Sequence, residues 1–471
     1  MVAILGANSV SGGYEIDNSL RFNVGDSPRL DRTSVGSPTN EKIFTYSVWL
    51  KKCGTGSNYT ILDARSGNNR SQLLFRSGSN EAIRLVETSD AFSSFDTLIT
   101  TNSLFRDCNA WYHIVLKYDS TNATANNRAL IYVNGVEQSL DINTTVTSDY
   151  TTPLNENGYS NDVGHADGSE YFDGYIAEAN FIDGQALAPS SFGENDEDSG
   201  IWKPIKYSGS YGNNGFYLKF ENTSDAGEDS SGNSNDFTGS GIDSKDHVAD
   251  TPTNNFATLN SIFHGKGSTV LSEGNCKFVG HNGGTGKVPS TIGVTSGKWY
   301  VEFKVLNTHK LRTGITDDIG ISNDADGIVN DGVDFGFNDG YIYTYLNGSN
   351  NDTGAGSSSS GVDVDNPSAN DILGIALDAD NDTVRFYINN TAQGSEATDL
   401  QRASTSGAIH FFHVMDYSGS GDDEPQVECN FGNPPFAISS GNADANGYGN
   451  FEYTPPSGYY ALCTKRLAEF G

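Results

Sequence analysis

The sequence predicts an all-β protein built as two tandem antiparallel β-sandwiches with short terminal segments. Aromatic residues make up 11% of the chain (Tyr 23, Phe 25), although hydrophobic residues reach only 35% and glycines number 54. Strand formers scattered among turn formers suit short strands and many loops. Strand-like runs recur at intervals of about 8–12 residues, as in sandwiches and barrels. Helical periodicity never exceeds about two turns. Finally, Ala129–Gln138 (ALIYVNGVEQ) and Val384–Gln393 (VRFYINNTAQ) share one form: strand, Asn-Gly or Asn-Asn, strand. That form signals a hairpin, because both central turn residues need positive φ.

The elements follow in order. Ser19–Asn23 is a short strand in a polar opening segment. Thr45–Lys52 (TYSVWLKK) alternates well; Ser71–Arg76 and Ala82–Glu87 read as neighbouring antiparallel strands. Trp111–Tyr118 (WYHIVLKY) is the clearest strand of the first half, followed by the hairpin strands Leu130–Val133 and Val136–Leu140. Tyr171–Phe181 is a further strand, and Gln185–Phe192 a turn or single helical turn limited by Pro189. Phe216–Glu221 returns to close the first sandwich. The Gly/Ser/Asn/Asp-rich stretch 225–250 carries the boundary, and Thr251–Asn255 (TPTNN) reads as linker. In the second half Trp299–Leu306, Gly314–Ile321, Tyr341–Leu346, the nearly all-apolar Ile372–Asp378, Val384–Ile388, Ile409–Val414 and Val427–Phe431 read as strands. The expected organisation is a first sandwich over 1–245, a linker over 246–265, a second sandwich over 266–436 and a C-terminal tail over 437–471.

Composition removes several functions. The net charge of −32 repels nucleic acid and anionic membranes, and no Lys/Arg cluster offsets it. No apolar run approaches the roughly 20 residues of a membrane span, and the N-terminus lacks the basic region of a secretory signal. The five cysteines, Cys53, Cys108, Cys276, Cys429 and Cys463, form no CxxC pair. They suit small buried hydrophobes made in a reducing cytoplasm.

Specific phrases extend this reading. Thr45–Leu50, Trp111–Tyr118, Tyr132–Val136 and Phe172–Ala188 resemble the laminin-G/concanavalin-A-like lectin family. Gly297–Val305, Ile319–Ser322, Phe335–Gly348 and Asp371–Asn389 resemble the SPRY family, another concanavalin-like sandwich. The resemblance implies two jelly-roll-type sandwiches. Tyr14–Phe22, Gly215–Phe237, Asp250–Asn260 and Tyr453–Leu467 resemble the connective phrases of virion proteins of tailed, marine-type bacteriophages, where such domains stand in this order.

A glycoside hydrolase needs two carboxylates facing one cleft. Glu170 and Asp173 have odd spacing and face opposite sides of a strand, and Glu178 shares its face with Asn180, which cannot act as the second carboxylate. His113, His165, His410 and His413 show no Ser or Asp partner at a recognisable spacing, so they read as core or surface histidines. Calcium is the sole cofactor the lectin resemblance implies, through the loop carboxylates Asp63, Asp162 and Asp167. The acid-rich stretches 317–326 and 378–382 read as solvated turns. Glycan binding needs an exposed aromatic beside amides, and the stripe Tyr341, Tyr343, Tyr345 with Asn338 and Asn347 offers one. The same stripe can instead pack in the sandwich. Trp49, Trp111 and Trp299 lie in strong strand patterns and belong to the core.

The expected function is non-enzymatic: a phage tail fibre or tail-associated adhesin presenting lectin-like domains to host-surface glycan or protein. Capsid decoration and glycan depolymerisation are the rival functions. The phage resemblance implies a virion location after synthesis in the host cytoplasm, other virion proteins as partners, and a homo-oligomer, with a trimer favoured.

Overall fold

The computed structural model describes residues 13–34, 36–78, 81–262, 269–281, 286–317, 332–337, 340–346, 349–350, 364–398, 409–416 and 424–470. The chain divides between Asn255 and Phe256 into two compact units.

The first unit packs two eight-stranded antiparallel sheets face to face. One runs Val136–Glu137, Ala129–Val133, Trp111–Asp119, Ile43–Lys52, Gly174–Asp183, Ser19–Phe22, His247–Val248, with Phe216–Leu218 also on Gly174–Asp183. The other runs Leu140–Thr144, Thr97–Thr101, Ile83–Thr88, Asn69–Phe75, Tyr59–Ser66, Ser160–Val163, Arg29–Thr33, Thr238–Ser240. Alternation decides the faces. Phe44, Tyr46, Leu50, Ile114, Leu116 and Ile176 point inward from the first sheet, and Leu30, Leu62, Leu73, Leu85 and Val163 from the second. The hairpin forms as the sequence requires, with Asn134 at φ 48° and Gly135 at φ 77°.

The second unit also holds two sheets around its own core. Its eight-stranded sheet centres on Lys298–Val305, flanked by Ile372–Asp378 and Gln426–Asn430. Its six-stranded sheet centres on Leu311–Thr316 between His410–Asp416 and Gly332–Gly336. Ile372–Asp378 is buried along its whole length, as its unbroken apolar run requires. Asn389 (φ 47°) and Asn390 (φ 64°) turn the second hairpin.

Two segments differ from expectation. Of the expected linker 246–265, the described residues 246–262 belong to the two units, 246–255 to the first and 256–262 to the second. His247–Val248 is an edge strand of the first unit, and Asp250 is fully buried there. Ala257 and Leu259 lie in the second core. The polar composition of 246–255 hid this, because its anchors are hydrogen bonds. Asp250 receives Lys51 Nζ at 2.8 Å and Trp111 Nε1 at 3.1 Å. The described part of the expected tail 437–471, residues 437–470, is likewise packed: Phe451, Ala461 and Cys463 are buried, and Thr464–Phe470 forms a helix whose Leu467 reaches the second core.

Candidate carbohydrate-binding face

Strand register in the second sheet of the first unit lines up polar side chains on its outward side, where Asp31 is half-buried and Asp162, Asp63 and Gln72 are buried. Asp31 pairs with Asp162, Asp162 with Asp63, Asp63 with Gln72, and Gln72 with Val86. Cross-strand partners project to one side of a sheet. Their chain neighbours Leu30, Val163 and Leu62 are core residues, so this row faces away from the core. A parallel row two residues along runs Thr33, Ser160, Arg65, Arg70, Thr88. Five strands thus bring together side chains as far apart in sequence as Asp31 and Asp162.

The rows are laced by charge. Arg70 Nε donates to Asp63 Oδ1 at 2.6 Å. Arg65 pairs with Asp167 and lies 3.8 Å from Asp162 Oδ2. Ser160 Oγ donates to Asp162 Oδ1 at 2.7 Å. Burial pushes the Asp63 carboxyl up to about 7 against the pull of Arg70, and burial raises Asp162 as well. The loop after the Ser160–Val163 strand folds onto this face: Glu170 accepts from Gln72 and from Asn58, each at 2.7 Å. A pocket of about 460 Å³ opens at the sheet's end, lined by Asp31, Arg32, Thr33, Ser160, Asp236 and Thr238 among others. Asp31, with its side chain 38% exposed, faces both this pocket and His165.

His165 Nε2 lies 2.5 Å from Asp31 Oδ1 and 3.7 Å from Asp162 Oδ2, while its Nδ1 accepts from the Gly168 amide at 3.2 Å. An accepting Nδ1 leaves the ring proton on Nε2, where it is donated to Asp31. Among the described residues, Asp31, Asp162 and His165 are the group whose ligand atoms gather within 4.8 Å. The expected calcium set Asp63, Asp162, Asp167 does not assemble. Asp63 and Asp162 are neighbours, but Asp167 turns outward to Arg65. Calcium takes six to eight oxygens; here two guanidinium groups occupy the carboxylates and the third gathered ligand is an imidazole. The residues do not fit that ion.

The tyrosine stripe is only partly in view. Ile342, the first residue of the Ile342–Leu346 strand, is a core residue, so Tyr341 and Tyr343 point outward and are half-buried. Their rings meet edge-on at 6.1 Å, and the Arg312 guanidinium lies 4.1 Å from the Tyr343 ring centre. The Tyr345 side chain, Asn338 and Asn347 lie outside the described residues, as does most of 317–326.

The four histidines do meet Ser or Asp, across strands. His113 Nε2 is 2.8 Å from Ser47 Oγ, His165 meets Asp31, His413 Nε2 is 3.0 Å from Asp334, and His410 Nε2 is 3.8 Å from Asp382. Sequence spacing could not reveal pairs made by non-adjacent segments. His113 is unsuited to base catalysis, because its Nδ1 accepts from Trp202 Nε1 at 3.0 Å and burial drops its pKa to about 3. Glu178, at φ 50° in a strand irregularity, is held by the Tyr14 and Tyr217 hydroxyls. Asp31, Arg65, Arg70 and His165 escaped the site expectation; the alternation of Arg29–Thr33 and the Asp/His spacing of 162–167 were the only traces they left.

No curated protein matches the chain significantly. Among solved structures, similarity is found to the SPRY domain of human HERC1, with 18% identity over 36% of this chain and 96% of that one, TM-score 0.29. The mouse laminin α1 chain domains LG4-5 align at 11% identity over 97% and 100%, TM-score 0.31. The Bacillus subtilis carbohydrate binding module CBM66 aligns at 10% identity over 36% and 91%, TM-score 0.23. Residues 25–190 match the model of the concanavalin A-like lectin/glucanases superfamily, of laminin-G type, and this stretch contains both rows of the outer face, from Asp31 through Asp63 and Arg70 to Asp162 and His165.

Proposed function

We propose that the chain is a non-catalytic adhesin of a tailed-phage particle, a tail fibre or tail-associated protein, whose first unit holds host-surface glycan on the outer face of its second sheet. The observation carrying this reading is that the lectin-superfamily match over 25–190 coincides with an outward polar face ending in a pocket. Hydroxyl, carboxylate and amide groups there, Thr33, Ser160, Asp31 and Asn235, are those that hydrogen-bond sugar hydroxyls. The particle context rests on the connective phrases 14–22, 215–237, 250–260 and 453–467. With it come other virion proteins as partners, a homotrimer, and synthesis in the host cytoplasm. Arg70 and Arg65 face the Asp63 and Asp162 carboxylates, so binding proceeds without calcium.

A bacterial surface-glycan array tests this with the full-length protein, with and without EDTA. Binding that survives EDTA and weakens about tenfold or more in Asp31→Asn/Ser160→Ala is expected, since each lost charged or hydroxyl hydrogen bond costs roughly 1–3 kcal/mol. Binding to no glycan would overturn the reading. Shortened products released from a host polysaccharide would show a hydrolase instead. Immunogold labelling of virions with antibody to this chain tests the tail location; a head-shell signal overturns it.

A further inference from the structure

The outer face does not stop at the pocket. Its second row ends on Thr88, which opens the loop 88–96. Phe92 and Phe95 of that loop are 37% and 41% exposed, and they are the exposed aromatic residues among the described large hydrophobics. Their ring centres are 6.3 Å apart, tilted by 54°. Arg70 of the same row lies 5.4 Å from the Phe92 ring centre and is itself bound to Asp63. The aromatic pair and the pocket are therefore the two ends of one surface. Four strand spacings separate Thr33 from Thr88, roughly 19 Å.

The loop is strained and tightly held. Ala91 and Phe92 both have positive φ, 57° and 66°. Such backbone costs of order 1–3 kcal/mol per residue and persists only where surrounding bonds impose it. Here Thr88 Oγ1 accepts from the Asp90 and Phe92 amides at 3.2 and 3.1 Å and donates to the Ser94 carbonyl at 2.9 Å. Asp90 accepts from the Ser94 amide at 2.8 Å and its hydroxyl at 2.6 Å. The Ala91 amide donates to the Asn68 carbonyl at 3.1 Å, fixing the loop to the adjoining turn. Phe92 and Phe95 thus stay more than a third exposed on a loop whose backbone is fixed.

We propose that Phe92 and Phe95 form a preorganised stacking platform for the apolar face of a neutral oligosaccharide whose other end sits in the pocket beside Asp31 and Ser160. The inference rests on the glycan-binding reading above and names the ligand class and its length. Length follows from the span between pocket and platform, which exceeds one sugar ring. Neutrality follows from charge: the chain carries −32, and Arg65 and Arg70 already face Asp167, Asp162 and Asp63. No spare cation is left on the rows for a sulfated or carboxylated chain. Rigidity lowers the ordering cost of binding.

The test is a length series of neutral oligosaccharides, chosen from array hits, measured by calorimetry on the full-length protein beside sulfated chains of the same length. Wild type is expected to gain affinity with length and to prefer the neutral chains. Phe92→Ala/Phe95→Ala is expected to lose roughly tenfold on the longer ligands and little on the shortest. Thr88→Val keeps both rings but unties the loop, and should reproduce part of that loss. Circular dichroism establishes that the variants fold; Phe92 and Phe95 are exposed, so their double variant should keep its unfolding midpoint, whereas Thr88 is fully buried and Thr88→Val should lower the midpoint without abolishing the fold. Wild-type affinity that is length-independent, unchanged in the double variant, or stronger for sulfated chains overturns the platform while leaving glycan binding intact. A wild-type dimer abolished by Phe92→Ala/Phe95→Ala, seen by sedimentation, overturns it by assigning the pair to a second copy. No glycan binding by wild type overturns both readings.

Discussion

His113 is a base kept neutral by its surroundings. It stacks between Trp49 and Trp202, at 4.6 and 6.0 Å, and accepts the Trp202 N–H. Burial drops its pKa to about 3, whereas the unfolded chain protonates near 6.5. The stability it contributes is therefore complete above pH 6.5 and is lost as pH falls toward 3, by at most about 1.4 kcal/mol per pH unit. Melting temperatures of wild type and His113→Gln between pH 7 and pH 4 check this; the variant should show the shallower slope. Lys51 and Asp250 form the complementary case of a fully buried ion pair, 2.8 Å apart. Asp250→Ala leaves the ammonium buried without its carboxylate and should cost about 3–5 kcal/mol in denaturant unfolding of the first unit. A loss below about 1 kcal/mol would mean that Asn255, which also accepts from Lys51, compensates.

At the scale of elements, the hairpin Ala129–Val133/Val136–Glu137 does more than reverse the chain. Asn134 Oδ1 accepts from the His113 amide at 2.8 Å, and a Cβ on Gly135 would fall 2.4 Å from the Trp202 ring. The turn thus seats the tryptophan that holds His113. Gly135→Ala meets both a φ of 77° and that ring, and should destabilise the first unit by about 1–3 kcal/mol. Thermal unfolding checks it, and Trp202→Ala in the same background should remove the steric part of the loss. This turn was legible as Asn-Gly between alternating residues. So were Ile43–Lys52, Trp111–Asp119 and Ile372–Asp378 as strands; the unbroken apolar run of Ile372–Asp378 matches its burial, whereas the alternating Ile43–Lys52 is buried on both faces, Thr45, Ser47, Lys51 and Lys52 included. Ser160–Val163 and Arg29–Thr33 went unread because their inward positions Asn161 and Arg32 are polar, and Tyr59–Ser66 because a bulge between Thr60 and Leu62 interrupts its period. The polar residues on the opposite, outward side of these strands form the site.

The whole molecule carries −32 on 471 residues, and self-repulsion opposes its compact state at low ionic strength. Raising salt from about 10 to 150 mM, which shortens the Debye length from about 30 to 8 Å, should raise the melting temperature. A fall would mean that pairs such as Arg70–Asp63 outweigh the net repulsion. The sequence by itself determined the all-β class, the strands with regular alternation, both hairpins and the buried tryptophans. These depend on local periodicity and turn chemistry, which are written in consecutive residues. Tertiary structure alone decided that Asp31, Asp162, Asp63 and Arg70 share one face, that His165 meets Asp31, and that the segment 246–255 is anchored in the first unit. Each of these depends on which strands lie side by side and in what register. Register is set by packing Leu30, Val163, Leu62 and Leu73 into a common core, a long-range condition that no window of neighbouring residues contains.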